Sequence, residues 1–131
     1  MKYMLVIYVD NAMIQALPPG EFDSMMRDCL GHAAELQREG TLIESQMLED
    51  APKAKTLRVR NGRLAVTDGP FAEAKEVLGG FNIIEADNID EATRIAESFP
   101  WSRVGSVEVR PVRDIGGVRN RVFAGVTEEA S

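Results

Sequence analysis

The sequence predicts a single α+β domain, and three observations predict it. Two strand–helix–strand patterns follow one another along the chain, each with an amphipathic helix. An Asn61-Gly62 pair between two short runs sets a β-hairpin between those two patterns. At 131 residues the chain can bury a sizeable core but is too short for two domains.

The first strand, Tyr3-Met4-Leu5-Val6-Ile7-Tyr8-Val9, is apolar throughout. A strand apolar on both faces is covered on both, which places it centrally in its sheet. Asp10 to Leu17 reads as a connection, stopped by Pro18-Pro19-Gly20. From Pro19 to Arg38, Phe22, Met25, Met26, Cys29, Leu30, Ala33 and Leu36 form one helical stripe. Gly40 stands at its left-handed C-cap. Thr41 to Leu48 is the second strand, with Glu44 and Gln46 expected on the face of Leu42.

Lys55 to Arg60 and Arg63 to Thr67 flank Asn61-Gly62. Leu57 and Val59 alternate with Arg58 and Arg60, so the hairpin reads as a half-exposed appendage with a basic outer face. A strand cannot run through Gly69-Pro70, so the chain turns there with Asp68 at the strand end. Ala72 to Leu78 reads as a short helical turn before Gly79-Gly80, and Phe81 to Ala86 as the next strand. Asn88 with Glu91 matches a capping box, and Ile89, Ala92, Ile95, Ala96 and Phe99 line a second helix ended by Pro100. Val104 to Val112 is the last strand, with Glu108 and Arg110 opposite Val107, Val109 and Pro111. Residues 115–131, with Gly116-Gly117, read as a tail that is loose or packed on a partner, leaving 1–114 as the domain.

The order is that of a ferredoxin-like βαββαβ fold with an inserted β-hairpin: one antiparallel sheet, both helices on one face. The other face is left bare and partly apolar. A homodimer through that open sheet face is therefore expected.

Composition excludes several classes. A net charge of −6 repels phosphate backbones, so no direct nucleic-acid partner is expected. No apolar run reaches the roughly 20 residues of a membrane span, and Met1-Lys2 opens no signal peptide, so the expectation is a cytoplasmic protein without a membrane partner. The single Cys29 forms no internal disulfide and reads as a small core residue. One His and one Cys do not make a usual zinc site, and no phosphate-cradling glycine motif is present. No metal and no cofactor are expected.

The run Val66-Thr67-Asp68-Gly69-Pro70-Phe71-Ala72-Glu73 is followed by Lys75-Glu76 and Leu78-Gly79-Gly80-Phe81. Together they resemble the signature of the DGPF proteins of the YCII-related family. The opening Met1-Lys2-Tyr3-Met4-Leu5 and the ending Val107-Glu108-Val109-Arg110-Pro111 fit as well, so the resemblance spans about residues 1 to 114. It implies a dimeric α/β barrel, bacterial occurrence, no one settled activity and, in some relatives, association with extracytoplasmic-function sigma factor systems. The wider group resembles muconolactone-isomerase-like enzymes with a His–Asp pair. His32-Ala33-Ala34-Glu35-Leu36, with Gly40 after it, matches the His stretch of that group. The Asp of the pair usually precedes a proline late in the second helix, and here that residue is Phe99.

The candidates for a polar cleft between sheet and hairpin are His32 and Asp68 as a catalytic pair, with Tyr8, Lys75, Glu76, Glu85, Glu108 and Arg110 binding substrate. His32 lies about 80° off the helix stripe, with Asp28 and Glu35 within reach for a local ion pair. Asp68 is a candidate to orient it as a general base, or else to bond its own turn. Glu108 and Arg110 suit a salt bridge across the dimer, and Phe71 and Phe81 suit the core. Two functions compete. A binding or regulatory module, with a small molecule or a regulatory protein as partner, leaves His32 exposed and Asp68 held by backbone N–H groups. An isomerase or lyase encloses both in one pocket. The missing carboxylate before Pro100 favours the module.

Overall fold

A computed structural model describes residues 1–125. The elements are β1 (Lys2–Asp10), α1 (Asn11–Gln15), α2 (Glu21–Arg38), β2 (Leu42–Met47), β3 (Lys55–Arg60), β4 (Arg63–Asp68), β5 (Glu76–Glu85), α3 (Ile89–Glu97), β6 (Gly105–Pro111) and α4 (Ile115–Val122). Single 3-10 turns occupy Ala51–Lys53 and Pro100–Arg103. The main sheet runs β2-β5-β1-β6 with every pairing antiparallel, while β3 and β4 form a separate two-stranded sheet. This is the ferredoxin-like arrangement, with β1 central as its two apolar faces require.

Local signals set several boundaries. Asn61 (φ 53°) and Gly62 (φ 74°) both take the positive φ of a type I′ hairpin. The Asn88 side chain accepts from the Glu91 N–H at 2.9 Å and caps α3; Glu91 returns to the Asp87 N–H at 3.4 Å. The core lies between the sheet and the helices. Tyr3, Leu5, Leu42 and Ile84 from the strands meet Met25, Ala92, Ala96, Phe99, Trp101 and Val104. Leu5, Ile84 and Val104 are sealed from solvent, each adding roughly 1.5–3 kcal/mol.

The structure departs from the sequence reading at six places. Asp10 to Leu17 is not a plain connection: Asp10 caps α1, accepting from the Ala12 and Met13 N–H groups at 3.0 and 3.4 Å. A register shift between Leu42 and Glu44 puts Leu42 opposite Ile84 and Glu44 opposite Ile83, so Glu44 and Gln46 leave the face of Leu42. Glu76 to Leu78 is strand, not helix, and the glycine pair lies inside β5. A Cβ at Gly80 would stand 2.5 Å from the Gln46 carbonyl oxygen, and a register shift between Ile7 and Tyr8 absorbs the extra residue at Gly79. Residues 115–122 form a helix, because the Asp114 side chain accepts from the Gly116 N–H at 2.9 Å. The remainder of the expected tail, 126–131, lies outside the described residues.

Neither expected core phenylalanine is in the core. Phe71 is 75% exposed with the Arg58 guanidinium 5.9 Å above its ring, and Phe81 is half-buried on the sheet face away from the helices. The hairpin is exposed on both faces rather than one. Leu57 pairs with Val66 and Val59 with Leu64, giving an apolar ladder whose members are 54–63% exposed.

Candidate functional site

Strand alternation divides the polar candidates between two faces of one sheet. Tyr3 and Leu5 point to the helices, so Met4, Val6 and Tyr8 point away. Their cross-strand partners share that open face: Ile83 and Arg110 beside Met4, Phe81 and Glu108 beside Val6, Leu78 and Ser106 beside Tyr8. On it the Tyr8 hydroxyl donates to Glu108 Oε1 at 3.5 Å, and the Ser106 hydroxyl donates to Glu76 Oε1 at 2.8 Å. Glu85 holds the N-terminal ammonium at 3.0 Å. Arg110 makes no ion pair with Glu108 within the chain among the described residues. Lys75 reaches Asp10 Oδ2 at 3.8 Å.

Asp10 was not among the residues singled out from sequence. It is 3% exposed, and its backbone N–H donates to the Val104 carbonyl at 2.8 Å. A carboxylate ending an apolar strand, just before a helix start, was the available signal. Its two bonded N–H groups make it a cap first.

His32 and Asp68 have separate partners. His32 Nε2 lies 2.6 Å from Ser98 Oγ, at the C-terminal end of α3. The Ser98 hydroxyl also lies within hydrogen-bond distance of the Ile95 carbonyl, which ties the imidazole to the end of α3. The His32 ring packs on Phe99, with centroids 5.0 Å apart at 57°. Thus the position before Pro100 does stand against the imidazole, but it offers a ring and no carboxylate. Asp28 and Glu35 make no ion pair with His32. Asp68, at the end of β4, pairs with Lys55 Nζ at 2.6 Å on an exposed edge. It does not bond the turn that follows. That turn is held by the Gly69 N–H donating to Ala54, by the Thr56 hydroxyl donating to the Gly69 carbonyl and by Arg58 donating to the Phe71 carbonyl.

A cleft of about 300 Å³ is lined by Asp28, Arg103 and the His32 partners Ser98 and Phe99, and a second cavity lies between α2 and the helix-facing side of the sheet. This second cavity has a volume of about 110 Å³ and contains neither His32 nor Asp68. Met26, Cys29 and Ala33 line it from α2, Gly80 and Asn82 from β5, and Trp101 from the Pro100–Arg103 turn. Burial pushes the Cys29 thiol above its ordinary pKa, and a hydrogen bond with Trp101 partly offsets this. Asn82 is 4% exposed. The signal for it in the sequence was a polar residue at a core-facing register position, two residues from Ile84 in an otherwise apolar strand. Among the described residues, no group of three or more His, Cys, Asp or Glu could hold a metal ion. No helix there is long and apolar enough to cross a membrane.

An antiparallel ferredoxin-like sheet with one open face and a cleft under its first long helix defines the class. The YCII-related domain model matches residues 1–116, and the chain belongs to that family. It is 35% identical over 114 residues to an uncharacterised protein of Rhizobium meliloti (strain 1021), covering 86% of this chain and 92% of that one. It also matches the structure of a 5-chloro-2-hydroxyhydroquinone dehydrochlorinase from Burkholderia phenoliruptrix AC1100 in complex with 2,5-dihydroxybenzoquinone. There the identity is 17% and the TM-score 0.44, covering 86% of this chain and 94% of that one.

Proposed function

We propose that this chain works as a homodimeric binding module rather than as a His32–Asp68 catalyst. The observation that carries this reading is the β3–β4 hairpin. Its ladder of Leu57, Val59, Leu64 and Val66 has more than half of each residue in solvent. A two-stranded hairpin is marginal in water unless its apolar face packs on something, and the apolar residues of α1–α3 are spent on the core cluster, which no hairpin residue joins. A second copy supplies a surface of the right kind. The open sheet face carries Met4, Val6, Phe81 and Ile83 beside Glu44, Glu76, Glu85 and Glu108, while Arg58, Arg60 and Arg63 stand on the face of the hairpin opposite its apolar ladder. The apolar groups are thus matched between two parts of the same chain, and the ladder can pack on the sheet face with its arginines turned outward.

Catalysis by the His–Asp pair is the weaker reading, because each member already has another partner and a phenyl ring fills the position of the usual carboxylate. A sigma factor partner forms no part of the proposal. Size-exclusion chromatography with light scattering on the wild type and on Leu57→Glu/Val66→Glu tests it. The wild type is expected at twice the 14.4 kDa chain mass and the variant at, or moving towards, the single-chain mass. A variant that stays fully dimeric removes the hairpin from the account.

A further inference from the structure

We propose that the cleft between α2 and the sheet binds a small, neutral, planar molecule whose edge carries a hydrogen-bond donor beside an acceptor, and that Asn82 selects it. A primary carboxamide or a lactam on an aromatic ring has that edge. This adds a ligand to the binding module above and can fail on its own, since dimerisation and cleft binding are read by different measurements.

Asn82 sits in the middle of β5, opposite Leu5 on one side and Ser45 on the other, and is 4% exposed. Among the described residues, nothing hydrogen-bonds to its carboxamide. None of its polar atoms is sealed in protein either, so the little surface it keeps opens into the cavity it lines. With the cleft dry such an amide costs roughly 1–3 kcal/mol, a cost that a water or a ligand bonded to it in the cleft removes. An N–H donor beside a C=O acceptor asks for the reverse pair on whatever occupies the cleft.

The remaining walls define the rest of the ligand. No Asp, Glu, Lys, Arg or His lines the cleft, so an ionic ligand would lose its hydration with no counter-charge to replace it. The Phe99 and Trp101 rings with Met26 and Ile7 suit an apolar, flat body. The volume of about 110 Å³ is close to the roughly 150 Å³ of an apolar cavity that holds benzene. Exposed Leu30 and Met47 form its mouth, which gives a path in. On the opposite wall, Gly79 and Gly80 keep β5 flush with β1 and β2, so no side chain from those positions fills the space.

Trp101 is the only tryptophan, so its emission reports the cleft without a label. The experiment titrates the full chain with benzamide, benzoate and toluene. Benzamide is expected to shift the emission saturably and to bind at least about tenfold tighter than benzoate. In Asn82→Leu, benzamide should lose about tenfold in affinity while toluene binds as well as before or better. Circular dichroism checks that this variant is folded. Should it not be, Ala33→Phe, which fills the cleft from α2, is expected to abolish binding of both benzamide and toluene. The proposal is overturned if no probe saturates, if benzamide and benzoate bind alike, if folded Asn82→Leu titrates benzamide like the wild type, or if Ala33→Phe keeps its affinity for benzamide.

Discussion

The two faces of the main sheet are built from the same four strands and meet different fates. On one, Tyr3, Leu5, Leu42 and Ile84 are closed over by α2, α3 and the Pro100–Arg103 turn, and the chain completes the face alone. On the other, Met4, Val6, Phe81 and Ile83 lie between acidic and basic neighbours, outside the cluster the helices bury. The hairpin extends the contrast, with an apolar ladder that its own chain leaves in water. What differs is local alternation: β1 is apolar on both faces, while the helices that follow it have one stripe each. One face is a folding core and the other has the character of an interface.

Breaking the closed side should cost most. A Cβ at Gly105 would stand 2.0 Å from the Tyr8 carbonyl oxygen, and both groups are backbone in paired strands. Gly105→Ala is expected to cost about 3 kcal/mol or more, read as a lower urea midpoint or loss of the folded state. Ile84→Ala empties a fully sealed core position and should cost about 2–5 kcal/mol by the same measurement. Phe81→Glu, one strand face over, sharpens the contrast. Its main effect should be on association, with the dimer weakened at least about tenfold in sedimentation and the core less perturbed than by Ile84→Ala.

Smaller effects follow at α2. His32→Ala removes one hydrogen bond to Ser98 and a ring contact, worth about 1 kcal/mol in the denaturant midpoint. Cys29 tests the cleft wall through its proton. Because burial raises the thiol pKa, the folded state holds that proton more tightly than the unfolded chain does. The stability linked to it is complete below the unfolded pKa and is lost as pH rises through the folded one. Alkylation by iodoacetamide, which needs the thiolate, should be slower near neutral pH than for an unfolded control and should accelerate only at more alkaline pH. Equal rates would mean that the cleft around Cys29 is open.

Signals that act within a few residues were legible in the sequence. Asn61-Gly62, the Asn88 cap and the Gly40 terminus all depend on local backbone geometry, and all stand where the residues indicated. Faces that depend on register differ from the sequence pattern. One extra residue at Gly79 and one beside Leu42 move side chains between faces, and nothing in a strand's own composition announces such a shift. The same limit hid the cleft. Asn82 acquires its meaning from Leu5, Ser45 and α2, which are distant in sequence and adjacent in space. His32 was identifiable as a helix-flank residue near the position before Pro100, but its partner Ser98 lies 66 residues away and was not. Asp68 stands at the strand end as expected, with Lys55 across the ladder as its partner.

The central claim is that a second copy completes what the chain leaves open, and amide hydrogen exchange on residues 55–68 tests it most directly. Exchange is compared between dilute and concentrated wild type, with residues 3–9 of β1 as the internal reference. Hairpin protection is expected to rise with concentration and to be lost in Phe81→Glu, while β1 stays protected in the concentrated wild type. Hairpin protection that is unchanged by concentration and by Phe81→Glu would contradict it.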